Sequence, residues 1–219
     1  MQKQKRQKMI KRIWVTLLAL TLLTACSPSK QYEGSKTEGV FYTVPNGWLK
    51  VDSKQLAKEE SKNANQDALD RLSMVTYQMG FTKAKSISPR DVFMLKPTDD
   101  PVIYVRIRAL FPEERNAISL NTLRNIILPI TDLQDGTINN DRNFQLYDDQ
   151  EIIEKGGRGV NLLYSFDYEG VNETVNQVTL YSNDQSKIYL FIIRCATSCY
   201  KKNIDEIDEI VKSFTVRGA

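Results

Sequence analysis

Cys195 and Cys199, four positions apart near the C-terminus, are two side chains that could react with one another. Joined, they would form a disulfide; apart, they would be free thiols or a redox couple, though the spacing is not the Cys-x-x-Cys of a redox motif. Four residues of extended strand span ~13 Å. A disulfide needs its Cα atoms within about 7 Å, so a bridge requires the chain to bend through Ala196-Thr197-Ser198. The 219-residue chain contains no histidine. That removes the Ser-His-Asp and Cys-His routes to an activated nucleophile and the commonest zinc ligand. Ser198-x-x-Lys201 has the spacing of a serine nucleophile with a lysine base, but no Lys-Thr-Gly accompanies it, and Ser182-Asn183-Asp184 has the wrong order. It reads as a surface turn. Asp132-x-x-Asp135-Gly136 suggests a calcium loop, yet Arg142 stands where such a loop needs its glutamate. Gly156-Gly157-Arg158-Gly159 could cradle an anion, but it lacks the lysine and spacing of a phosphate loop and reads as a hairpin or bulge turn. Asp99-Asp100, Glu113-Glu114 and Asp148-Asp149 are adjacent pairs, and neighbours on a strand point to opposite faces, so they are poor acid/base couples. No catalytic residue, cofactor or metal site is expected.

The row Tyr104, Arg106 and Arg108 ranks highest as a binding surface. Residues 102–110 alternate, with Ile103, Val105, Ile107 and Ala109 facing one way and the Tyr/Arg row the other. Tyr and Arg are enriched at interfaces, although an ordinary solvent-facing strand reads the same way.

These residues need elements to position them. Val40–Val44 reads as a strand, turned by Pro45-Asn46-Gly47. From Ser53 to Gly80 the signal is helical: Leu69, Leu72, Val75 and Met79 recur at three- and four-residue steps, and Gly80 is a natural stop. Ser119 can cap a helix with the stripe Leu120, Leu123, Ile127 and Ile130, ended or kinked by Pro129. A polar, Asp- and Asn-rich stretch leads to three strands, roughly 158–168, 173–182 and 187–195, joined by hairpin-length turns. The run 188–193 is apolar on both faces and belongs in a sheet centre. Ile204, Ile207, Ile210, Val211 and Phe214 line one face of a last helix, whose acids Asp205, Glu206, Asp208 and Glu209 face solvent. The order implies an α+β domain, an antiparallel β-sheet flanked by helices.

The N-terminus carries compartment information. Residues 1–12 hold six Lys and Arg and no acid, and an apolar run follows over residues 13–23. That is a signal peptide, too short for the roughly 20 apolar residues a membrane span needs. Leu23-Thr24-Ala25-Cys26 resembles the lipobox of bacterial lipoproteins. The resemblance implies diacylglyceryl on Cys26, cleavage before it, and often further acylation such as palmitate on the new amino group. Two or three chains hold a protein stably where one holds it marginally. The expected organisation is a signal peptide over 1–25, a lipidated Cys26 with a flexible tether over 26–38, and one domain over 39–219. Without the leader, 194 residues remain, with 24 basic groups against 27 acids and a net charge of −3. A mildly acidic exported domain is a poor nucleic-acid binder, since that affinity comes mainly from neutralising phosphates. With Cys26 committed to lipid, Cys195 and Cys199 are the leftover pair in an oxidising compartment, which favours their bridge.

The two ends of the domain resemble the PsbP-like superfamily, the extrinsic photosystem II subunit and its bacterial relatives, some of them lipoproteins. Phe41-x-x-Val44-Pro45-x-Gly47-Trp48 carries the opening, and Ile207-x-x-Ile210-Val211-x-Ser213-Phe214 the close. The match covers residues 39–52 and about 100–217, while 53–90 depart from it. The resemblance implies an antiparallel sheet sandwiched by helices and an accessory or interaction role without catalysis. Some photosynthetic relatives bind metal through histidine and carboxylates, a site that does not carry over to a chain without histidine. Two functions are therefore expected. One is a lipid-anchored accessory module at the outer face of the cell membrane, or on an outer membrane, binding an envelope protein partner. The other is a small-ligand or cell-wall-fragment binder using a concave pocket.

Overall fold

The apolar run 188–193 lies where its two apolar faces require. The structure, a computed structural model, describes residues 29–218, and places this run in β9 (Lys187–Ala196), the fourth of seven strands. The sheet order is β3 (Leu49–Val51), β4 (Val75–Thr82), β5 (Val102–Ala109), β9, β8 (Val171–Ser182), β7 (Gly157–Tyr168) and β6 (Gln145–Glu154). Every neighbouring pair is antiparallel. A second antiparallel sheet has the order β1 (Lys30–Ser35), β2 (Val40–Pro45) and β10 (Thr215–Val216).

Eight short helices complete the described chain: α1 (Ser53–Glu60), α2 (Gln66–Ser73), α3 (Pro89–Phe93), α4 (Pro112–Ala117), α5 (Leu120–Arg124), α6 (Ile130–Gln134), α7 (Thr197–Lys202) and α8 (Ile204–Ser213). None among the described residues is long and apolar enough to cross a membrane. The large sheet separates two cores. On one side Ile103, Val105 and Ile107 of β5 pack with Val40, Tyr42 and Val44 of β2 and with Ile207, Ile210 and Val211 of α8. On the other, Val102 and Tyr104 pack with Leu56 of α1, Val92 of α3, Leu123 of α5 and Ile130 of α6. This is the α+β architecture expected from the order of elements.

Four local expectations change. The tether expected over 26–38 is a strand over Lys30–Ser35, paired with β2 along its length; its polar side chains suit the edge of a small sheet. The helix expected from Ser53 to Gly80 breaks into α1 and α2 and then becomes β4. The residues 75–82 include Val, Thr, Tyr and Phe, which favour a pleated surface, and pairing with β5 outweighs the helical spacing. Gly80 is not a helix stop. It pairs with Tyr104, and a Cβ there would meet Val92 Cγ1 at 2.4 Å, so glycine lets α3 lie close on the sheet. The helix capped by Ser119 forms, with Ser119 Oγ accepting the Thr122 N–H at 3.1 Å, but it stops at Arg124, and α6 starts afresh after Pro129. The meander expected to have three strands has four: β6 is a half-exposed edge whose many polar residues hid its strand.

One buried ion pair ties the sheet to the segment before β5. Arg194 of β9 is 1% exposed and Glu173 of β8 is 0% exposed. The Arg194 guanidinium donates to Glu173 Oε1 at 2.8 Å and to the carbonyls of Asp91, Met94 and Lys96. Burial pushes the Glu173 carboxyl up from its usual range, and Arg194 works against that shift.

Candidate functional site

The β5 alternation places Tyr104, Arg106 and Arg108 on one side of the large sheet, opposite Ile103, Val105 and Ile107. The register with β9 sets Leu190 beside Arg106 and Ile188 beside Arg108. These side chains floor a cleft of about 330 Å³, walled by Phe93 of α3 and by Ile126 and Ile127 after α5. Glu60 at the end of α1 and Arg71 of α2 complete it.

The row is therefore not the open strand face that alternation alone suggests. Tyr104 is only 5% exposed. Its hydroxyl donates to Gln78 Oε1 at 3.1 Å and accepts from Arg106 at 2.9 Å. Burial pushes its phenol well above the usual tyrosine range, with Arg106 partly offsetting. Arg106 also pairs with Glu60. Arg108 forms a two-pronged pair with Glu114 of α4, at 2.7 and 2.9 Å. Glu114 in turn accepts the Phe111 N–H at 3.0 Å, and the Arg108 hydrogen bond holds its carboxyl below the usual range. The physical reason for the difference is coverage: helix ends bring carboxylates onto the row, and paired guanidiniums tolerate burial where bare ones do not.

Two features make the cleft receptive. Glu60 Oε2 is buried with no hydrogen-bond partner. Arg71 stands exposed at the cleft with no carboxylate within ion-pair distance among the described residues, although its charge is felt at Glu114. Three guanidiniums face two carboxylates here, in a mainly apolar frame. Such a site can hold an anionic group against Arg71 while apolar atoms rest on Phe93, Ile126 and Ile188.

The fold is similar to that of cyanobacterial PsbP. The Synechocystis protein is 17% identical, over 89% of this chain and 98% of that one, with a TM-score of 0.48. LpqN, involved in cell envelope biogenesis of Mycobacterium tuberculosis, is 14% identical over 85% and 89%, with a TM-score of 0.45. The Ran-binding protein Mog1p of Saccharomyces cerevisiae is 8% identical over 86% and 96%, with a TM-score of 0.44. Likenesses this distant describe architecture and carry no argument about ligand, partner or compartment. No family model and no curated protein matches the sequence.

Cys195 and Cys199 are bridged, with Cα atoms 5.9 Å apart. The bend needed for this comes from the strand-to-helix change at Thr197, where β9 gives way to α7. Both sulfurs lie in the core beneath α8. So short a loop contributes about 2 kcal/mol in the chain-entropy account. Cys195→Ser with Cys199→Ser should lower the melting temperature by about 6 °C, at ~2–4 °C per kcal/mol for this size. An unchanged melting temperature in non-reducing buffer would show that the bridge is not closed in solution.

Cys26, the expected lipid attachment residue, lies outside the described residues. The other sequence motifs take structural places. Ser198 is exposed on the short helix α7. Gly159 sits where a Cβ would meet Thr179 O at 1.9 Å, so the glycine-rich segment admits a neighbouring strand. Glu60, Arg71, Phe93 and Glu114 went unseen as site residues. No local signal links Glu60 to an arginine 46 positions away; only Glu114, three residues into a helix with proline at its start, carries a readable capping role.

Proposed function

We propose that this protein is an exported, lipid-anchored, non-catalytic interaction module of the bacterial cell envelope, holding an acidic group of a protein partner in the Tyr104/Arg106/Arg108 cleft. The leader and the Cys26 motif support export and anchoring. The observation that carries the contact is Arg71, an exposed cation without a carboxylate partner beside a cleft framed by apolar side chains. Arg106 and Arg108 are already neutralised by Glu60 and Glu114, so a single uncompensated charge remains, which suits one acidic side chain or a chain terminus. The unpartnered Glu60 Oε2 favours a second reading, a small ligand that carries a donor as well as an anion.

Arg71→Glu tests the first reading. The residue is exposed, so folding should change by no more than about 0.5 kcal/mol. Recovery of crosslinked partner from native membranes should fall several-fold with the intact lipoprotein, more steeply at low salt, because exposed charges steer encounter most when unscreened. Equal recovery with an intact fold would place the contact elsewhere. Partner loss on adding a cell-wall digest would favour the second reading.

A further inference from the structure

The described chain takes up its fold almost as soon as it leaves Cys26. We infer that the outer face of the β1–β2–β10 sheet rests on the lipid surface and that the cleft is turned away from it. This deepens the lipid-anchored reading and rests on it. From Cys26 to Lys30 there are four residue steps, at most ~14 Å when fully extended. Lys30 already opens β1, opposite Pro45. The first strand therefore cannot stand far from acyl chains carried by Cys26.

The register says which side of that strand meets the lipid. Gln31 and Glu33 lie opposite Val44 and Tyr42, whose side chains are in the core. Lys30 and Tyr32 consequently point outward, on the same face as Thr43 and Phe41. Tyr32 is 88% exposed. On the same face the Arg217 guanidinium lies 5.2 Å from the centre of the Phe41 ring. Tyrosine at headgroup level is a feature of membrane interfaces, and cations there are drawn to anionic headgroups. Arg217 also lines a polar cleft of about 330 Å³ with Lys155 and Lys187, beside Asp184. Lys187 is held by Glu38, and among the described residues Lys155 and Arg217 have no carboxylate within ion-pair distance. The α8 flank bears Asp205 and Glu209, the latter paired with Lys30, so the strand half of this layer is the half suited to anionic lipid.

The large sheet then separates anchor from cleft. Ile103 and Val105 pack toward the β1–β2–β10 layer, and Tyr104, between them, packs toward the cleft. A partner reaching Arg71 would approach from the side opposite the bilayer.

The test uses the full chain, purified from membranes and placed in vesicles of phosphatidylcholine and phosphatidylglycerol. With Cys195 and Cys199 bridged and Cys26 acylated, an introduced cysteine is the only free thiol. Thr43→Cys reports on the outer sheet face; Leu69→Cys reports on α2, the helix that contributes Arg71 to the cleft. A fluorophore at 43 should be quenched several-fold more by nitroxide-bearing lipid than one at 69. Adding Tyr32→Ser and Arg217→Ser should reduce that difference at least twofold. Equal quenching at 43 and 69, with acyl chains present on Cys26 by mass spectrometry, overturns the orientation and leaves the anchor standing. Absence of the acyl mass overturns both.

Discussion

Arg194→Met is expected to cost about 3–5 kcal/mol of stability, the loss seen when one partner of a buried ion pair is removed. At ~2–4 °C per kcal/mol for a chain of this size, the melting temperature should fall by roughly 6–20 °C. The guanidinium has no route to water, and neither does its partner: Arg194 is 1% and Glu173 0% exposed. Without Arg194 the Glu173 carboxylate would stand alone, and its Oε2 already lacks a partner. Three part-buried carbonyls, of Asp91, Met94 and Lys96, would lose a charged donor as well, although Met94 O would keep the Lys96 N–H at 2.9 Å. The segment carrying them includes Phe93, a wall of the cleft, so the loss should also loosen the site. Arg194→Met with Glu173→Met removes the lone charge but does not restore the donor to these carbonyls, and its stability should lie between the single variant and wild type. Urea or thermal unfolding of the three proteins decides the matter. A single variant as stable as wild type would show that the pair is hydrated in solution.

Gly159→Ala should be nearly as damaging, at about 3 kcal/mol, the upper range for forcing a methyl into filled space. A Cβ at this position would lie 1.9 Å from Thr179 O and 2.6 Å from Leu180 Cα. Both atoms belong to the backbone of β8, which is held on its other side by β9. A flexible side chain could swing aside, but this backbone cannot move without opening the pairing of β7 with β8. Gly170→Ala is the comparison. It sits in the β7–β8 turn at φ +82° with nothing within 4 Å of its Cβ, so it bears only the left-handed strain, roughly 1–2 kcal/mol. Equal losses in the two variants, measured by equilibrium unfolding, would show that the strand pair admits the methyl.

Strands β5, β7, β8 and β9 and helix α8 were legible because their signals are local: alternation over eight to twelve residues, a run apolar on both faces, an apolar stripe at helical spacing. Strand β4 was not. Its Val75 and Met79 continue the helical rhythm of Leu69 and Leu72, and only pairing with β5 settles them in a sheet. Strands β1 and β6 were missed for the opposite reason, since their polar side chains bury too little to leave a periodic mark.

The sequence by itself carries a lipobox-like pattern at Cys26, and it determined the absence of histidine chemistry, the spacing that a bridge between Cys195 and Cys199 must span, and the shared side of Tyr104, Arg106 and Arg108. Each follows from residue type or from a period of a few positions. Tertiary structure alone decided that this side is a cleft. Glu60 reaches Arg106 from 46 positions away, Ile188 and Leu190 arrive on a strand some eighty residues later, and Phe93 closes in because Arg194 binds the carbonyls on either side of it. Whether a charged row is open or covered depends on which distant helix ends pack over it. That choice is made by the burial of two cores at once, and no local pattern in the strand records it.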